Sequence, residues 1–172
     1  MNKALKQEDK ARLQVCISFL NSIGIETIFR EIEEECFLPG LLIENGKIVI
    51  DLNTLVNPGD ILHEAGHIAV TPAEKRALLN AQTITQSDFR DAEEMMAIAW
   101  SYAACIHLSI DPYFVFHDNG YKGGGSYIAD NFRQKRYFGL SMLQWVGLTA
   151  DEKNADKLKV NPYPHMIKWL RD

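Results

Sequence analysis

The sequence predicts an α+β fold, and three observations carry that prediction. A hairpin signal, Glu44-Asn45-Gly46-Lys47, separates the apolar runs 40–43 and 48–52; Asn-Gly tolerates positive φ at both central positions of a tight primed turn. Next, His63 and His67 stand four apart with Glu64 between them, the spacing of one helical turn. Further on, residues 89–108 are apolar nearly all round after Glu94, as a helix central to a core is. The expected assembly is a small sheet or hairpin packed on the His63–His67 helix and on a long buried helix. Additional helices follow toward the C-terminus.

The first expected element is an amphipathic helix over about residues 7–22, with Leu13, Cys16, Ile17 and Leu20 at helical spacing and Gly24 as its stop. Residues 25–35 are mixed: Ile25, Ile28 and Ile32 suit a strand or a short helix equally. The acidic run Glu31-Ile32-Glu33-Glu34-Glu35 reads as a solvated face rather than a cation site. The hairpin follows, and its second strand, 48–52, is the candidate sheet edge for aligning an extended peptide by main-chain hydrogen bonds. Asn57 suits the N-cap of the next helix, Pro58 its first position and Asp60 its first turn. That helix should stop near Val70, where Thr71-Pro72-Ala73-Glu74 has the form of a capping box opening another helix through about Asn80. Gly66 in mid-helix costs about 1 kcal/mol relative to alanine, which points to close approach of another backbone or of further ligands.

A polar stretch, 81–88, leads to the long helix, expected over 87–109. Beyond it, Tyr113-Phe114-Val115-Phe116-His117 reads as a short strand or extended segment, and 118–126 as a glycine-rich loop. Two helices, 127–137 and 140–147, break at Gly139. A polar connector over 150–159 and a proline-stiffened tail packed by Met166, Trp169 and Leu170 complete the chain. Arg133, Lys135 and Arg136 lie near the helix pair, but the basic cluster is short, and nucleic acid is not the expected partner.

Composition agrees with one domain. The 172 residues are 47% hydrophobic and carry a net charge of −5, which suits a globular core and disfavours binding to polyanions. The expected organisation is a single domain, 1–172, made of an N-terminal helix (1–24), a central unit (40–110) and a helical extension (111–172). Charges in the first ten residues leave no room for a signal peptide, and no apolar run reaches membrane-spanning length, so the expected compartment is the cytoplasm, without membrane association. Cys16, Cys36 and Cys105 include no close pair and read as free thiols.

The chemistry centres on His63-Glu64-Ala65-Gly66-His67. Two imidazoles one turn apart on a helix face reach a single Zn²⁺, and the intervening carboxylate can act as general base toward a water in the metal's open position. Random order would produce this pattern in roughly one chain in a hundred of this composition, and the independent helix signals around it lower that rate further. A third ligand is needed. Glu94 and Glu93 stand where the polar end of the long helix enters the core, and a carboxylate entering a core needs a charge partner or a metal. Adjacent positions point about 100° apart, so only one can face the site; Glu94 is preferred, Glu93 is the alternative and Asp91 is a weaker candidate. His117, Tyr121 and Tyr127 are candidate donors to an oxyanion. His107 reads as a core histidine and His165 as a residue of the tail.

With these features in place, the stretch 40–108 resembles the ImmA/IrrE family of zinc metallopeptidases, a branch of the gluzincins. The resemblance lies in His63-Glu64-Ala65-Gly66-His67 and in Glu94-Met95-Met96-Ala97, which fits the family's Glu-x-x-Ala; Ile98 stands where the family has Asn or Asp. It implies a minimal zincin-like fold, zinc held by His63, His67 and Glu94, Glu64 as catalytic base, and cleavage of a regulatory protein or peptide inside the cell. The alternative expectation is a zinc-bearing regulatory or interaction module without proteolysis, antirepressor- or sensor-like in kind.

Overall fold

The computed structural model describes residues 5–34 and 36–172. Residues 1–4, part of the charged N-terminus considered above, and Glu35 of the acidic run lie outside them. The fold is α+β: a three-stranded sheet with helices before and after it. Helix α1 (Gln7–Ser22) buries Leu13, Cys16, Ile17, Phe19 and Leu20, the stripe its periodicity predicts, and Gly24 at φ 94° turns the chain out of it. Strand β1 (Thr27–Phe29) resolves the mixed segment in favour of a strand. The exposed Glu31, Glu33 and Glu34 agree with a solvated face.

Strands β2 (Leu41–Glu44) and β3 (Lys47–Ile50) form the hairpin, with Asn45 at φ 52° and Gly46 at φ 71° as a primed turn requires. The sheet order is β1-β3-β2, with β3 antiparallel to β2 (Ile43↔Ile48) and parallel to β1 (Ile28↔Val49). This corrects the expectation that 48–52 forms an edge. Strand β3 is central, and its buried Ile48, Val49 and Ile50 make the near-continuous apolar run of a strand covered on both faces.

At the end of β3 the buried Asp51 accepts from the Asn53 N–H (2.9 Å), the Thr54 hydroxyl (2.9 Å) and the Ile32 N–H (3.3 Å), turning the chain toward the next helix. Helix α2 (Asp60–Val70) begins later than expected. Asn57 to Gly59 form a turn in which the Asn57 carbonyl accepts from the Asp60 N–H at 3.2 Å, and no side chain caps the helix. The expected capping box at Thr71 is also absent. The Thr71 hydroxyl instead donates back to the His67 carbonyl (2.8 Å), and helix α3 spans only Ala73–Arg76. A capping box does occur where a polar stretch was expected: Asn80 and Thr83 exchange side-chain-to-backbone hydrogen bonds at the start of α4 (Ala81–Thr85).

Helix α5 (Arg90–His107) is the core of the molecule and is buried continuously from Met96 to Cys105. It packs chiefly against α2, so the two helices that carry the candidate ligands form the main interhelical contact. Residues 113–117 are not extended: a 3₁₀ turn, Pro112–Phe114, is capped by the Asp111 side chain on the Tyr113 N–H. Helix α6 (Gly125–Arg133), helix α7 (Leu140–Trp145) and helix α8 (Glu152–Leu158) follow, the last formed where a connector was expected because the Asp151 side chain caps the Asn154 N–H. The tail is fastened to α5, where the Tyr163 hydroxyl donates to the Ala99 carbonyl (2.8 Å) and the Trp100 indole donates to the Trp169 carbonyl (2.9 Å). Among the described residues no helix is long and apolar enough to cross a membrane.

Candidate metal centre

The backbones of α2 and α5 come into contact where Gly66 faces Ala97. A Cβ built on Gly66 would lie 2.8 Å from the Ala97 carbonyl oxygen and 3.0 Å from its Cα. The mid-helix glycine is therefore the condition for two backbones to touch. A hydrogen bond adds to that contact: the buried Ser101 hydroxyl lies 2.6 Å from the Ala97 carbonyl and 3.1 Å from the Leu62 carbonyl of α2. Glu94 is one turn before Ala97 on α5, so the same crossing carries its carboxylate to the histidines.

The last turn of α2 is finished from far along the chain. Its four terminal carbonyls, which a helix leaves without internal partners, each have a donor. Thr71 serves His67, as above; the Arg76 guanidinium donates to Ile68 (3.2 Å); the Arg171 N–H donates to Ala69 (2.9 Å) and its side chain to Val70 (3.3 Å). The helix that holds both histidines is thus fixed at its C-terminal end by residues of α3 and of the tail.

His63 Nε2 and His67 Nε2 are 3.2 Å apart, and the Glu94 carboxylate faces both, with Oε1 at 3.5 Å from His63 Nε2 and Oε2 at 3.3 Å from His67 Nε2. Among the described residues these three form the group able to hold a metal ion. The group includes Glu94 and neither Glu93 nor the exposed Asp91. A tetrahedral zinc site with arms of about 2.0–2.1 Å has edges of about 3.3–3.4 Å, so the spacing of the three side chains fits that ion. The donor set, two imidazoles and one carboxylate, also fits it.

Burial first, then the charge of His67, pushes the His63 imidazole down to about 4, with Glu94 opposing. Burial acts in the same direction on His67 but is outweighed by its hydrogen bond to Glu94 and the charges of Glu64, Glu94 and Glu93, so this imidazole is raised. Glu94 is lowered: its burial is overcome by the hydrogen bond from His67 and the charges of His63 and His67. Burial also pushes the Glu64 carboxyl up to about 7, with Asp60 and Glu94 adding to the rise and His67 opposing it.

The three candidate oxyanion donors are placed differently from one another. Tyr127 is 72% exposed on α6. His117 Nε2 lies 2.8 Å from Asp60 Oδ1, and its Nδ1 accepts from the Gly120 N–H at 3.1 Å. The Tyr121 hydroxyl lies 3.1 Å from His63 Nδ1, the ring nitrogen remote from the ligand group. Burial, then the charges of Asp60, Glu94 and Glu64, raise the Tyr121 phenol well above its ordinary value, so it is protonated. His107, expected in the core, is exposed at the end of α5, with its ring against Phe19 and Trp169. His165 is an exposed tail residue as read. Sequence reasoning missed Ser101, Arg76 and Arg171, and it read Asp60 only as a helix-terminal charge.

No family model, curated protein or solved structure matches this chain.

Proposed function

We propose that this protein is a zinc-dependent metallopeptidase of the ImmA/IrrE kind that hydrolyses a protein or peptide substrate, with a regulatory protein of the cytoplasm as the expected class. One observation carries the reading: on two closely crossed helices, three ligand atoms converge at 3.2–3.5 Å with Glu64 next to His63. His63, His67 and Glu94 would hold the ion. When bound, zinc supplies Lewis acidity, which brings the pKa of a coordinated water toward neutrality and polarises an adjacent carbonyl.

Glu64 does the proton work. Its carboxylate takes a proton from the attacking water and delivers it to the amine nitrogen that leaves when the peptide bond breaks. Burial suits it to both steps, because a proton affinity near neutrality lets one group act as base and then as acid. His67 and Glu94 stand 3.3 Å apart in the ligand group, and the Gly66–Ala97 contact sets the separation of the helices that bear them. The test is metal content together with Glu64→Gln. Stoichiometric zinc in both forms, with hydrolysis reduced about 10²–10⁴-fold in the variant, supports the reading. Absence of zinc, or unimpaired cleavage by Glu64→Gln, refutes it.

A second reading, a zinc-bearing regulatory or interaction module without proteolysis, draws on the central position of β3, which leaves that strand no free edge with which to align a peptide. Zinc retention without cleavage, together with partner binding insensitive to Glu64→Gln, would favour it.

A further inference from the structure

His63 reaches the ligand group through Nε2, while its Nδ1 faces the Tyr121 hydroxyl at 3.1 Å from a position 58 residues away in the chain. The two rings meet edge to face, with centroids 5.5 Å apart and planes at 86°. The segment that bears Tyr121 touches α2 at a second point, where His117 Nε2 pairs with Asp60 Oδ1. Since His117 Nδ1 accepts from Gly120, its Nε2 is the nitrogen that carries the proton and donates to Asp60. Positions 60 and 63 are three apart on α2 and so lie on one face. His117 and Tyr121 therefore latch their segment along a single stripe of the motif helix.

The backbone of this segment supports the same conclusion. Tyr121 and Lys122 have φ of 50° and 54°, and Gly123 follows at 80°. Two successive non-glycine residues in the left-handed region persist only where their surroundings impose the conformation, and such residues concentrate at functional sites. Lys122 is exposed, so the constraint comes from Tyr121, whose half-buried ring packs on Phe116 with centroids 5.5 Å apart and whose hydroxyl meets His63.

We propose that Tyr121 is a positioning residue for the metal centre: its phenolic oxygen accepts the Nδ1 proton of His63 and so turns the Nε2 lone pair toward His67 and Glu94. A neutral imidazole carries one proton, and the hydrogen bond at one nitrogen decides which nitrogen is free to ligate. A phenol can fill this place because its oxygen accepts while its own proton points elsewhere. This role rests on the zinc-site reading above.

The test is Zn²⁺ affinity of the full chain by competition with a chromophoric chelator, for the wild type, Tyr121→Phe and Tyr121→Leu. Phenylalanine keeps the ring and removes only the oxygen; affinity is expected to fall about 10–100-fold, the usual effect of losing a partner behind a ligand, with the melting temperature retained. In the wild-type zinc form the His63 Nδ1 proton is expected to appear by NMR as a slowly exchanging resonance, and in Tyr121→Phe to exchange rapidly with water. If Tyr121→Phe binds zinc like the wild type while Tyr121→Leu does not, ring packing alone matters and the positioning role is overturned. A rapidly exchanging Nδ1 proton in the zinc-loaded wild type overturns it without recourse to any variant. Failure of the wild type to take up zinc overturns the metal-centre reading together with this one, and so is distinguishable from failure of the positioning role alone.

Discussion

Gly66→Ala tests the link between helix packing and the metal centre. Two effects oppose each other. In an isolated helix alanine would be better by about 1 kcal/mol. Here the added methyl carbon would sit 2.8 Å from the Ala97 oxygen, 3.0 Å from its Cα and 3.2 Å from its carbonyl carbon, all backbone atoms that no rotamer change can move. Ordinary carbon contacts begin at about 3.5 Å, so α2 and α5 must separate by roughly half an ångström in the best-buried part of the molecule. Overpacking of that kind costs about 1–3 kcal/mol, and the steric term is expected to win, leaving a net loss of up to about 2 kcal/mol. For a chain of this size that lowers the melting temperature by up to roughly 8 °C. The separation also withdraws Glu94 from His63 and His67, and sites of this type tolerate only about 0.5 Å of misplacement. Thermal melts and zinc competition on the same preparation check both consequences. A variant as stable as the wild type with unchanged zinc affinity would refute the reasoning, because the crossing would then have slack.

Three further outcomes follow from the same geometry. Glu94→Ala is expected to lose more zinc affinity than the about 10–100-fold typical of a supporting residue, whereas Glu93→Ala leaves it unchanged; equal losses in chelator competition would contradict the assignment. Arg76→Ala removes donors to the Ile68, Thr71 and Arg171 carbonyls and is expected to cost about 2–3 kcal/mol in urea denaturation, with fraying of the histidine-bearing helix visible as faster amide exchange at its C-terminal end. Asp51 is held below the usual carboxylate range, first by the Asn53 N–H and then, against its own desolvation, by the Thr54 hydroxyl and the Ile32 N–H. Because its folded pKa is depressed, its stabilisation is present above the unfolded value of about 3.9 and is lost as pH falls through the lower folded value; Asp51→Asn should therefore melt lower at neutral pH and show a shallower acid slope below about pH 4.

The elements written in local signals were readable in advance, and those decided by competition were not. The hairpin follows from Asn45-Gly46, α1 from its periodicity, and α5 from a long stretch that is apolar nearly all round after Glu94. The capping signals failed in an instructive way. Thr71 has the chemistry of an N-cap but spends its hydroxyl on the His67 carbonyl of the helix before it, a choice open to any threonine between two helices. Asn80 and Thr83, in a stretch read as merely polar, form the reciprocal cap instead. The misplaced edge has a different cause. Only three residues of β1 pair with β3, and a parallel neighbour contributed from before the hairpin leaves no mark in the sequence of β3 beyond its continuous apolar run, Ile48-Val49-Ile50. That run, read as a strand buried on both faces, could have indicated a central position.

The same division runs through the candidate site. The candidate ligands were legible because each obeys a short-range rule: His63 and His67 share a helix face, and Glu94 sits where a carboxylate crosses into an apolar helix. Their supports come from distant parts of the chain: Tyr121 behind His63, Arg171 on the Ala69 and Val70 carbonyls, and Ser101 between α5 and Leu62. A spacing rule can propose the donors of a metal site, but their separations of 3.2–3.5 Å are set by the contacts that hold two helices together. Gly66 joins the two levels. In the sequence it appears as a defect in a helix, and in the fold it is the point where α2 meets α5, one turn from Glu94. A residue that weakens its own helix while letting α5 come into backbone contact is explained by that contact rather than by the stability of the helix.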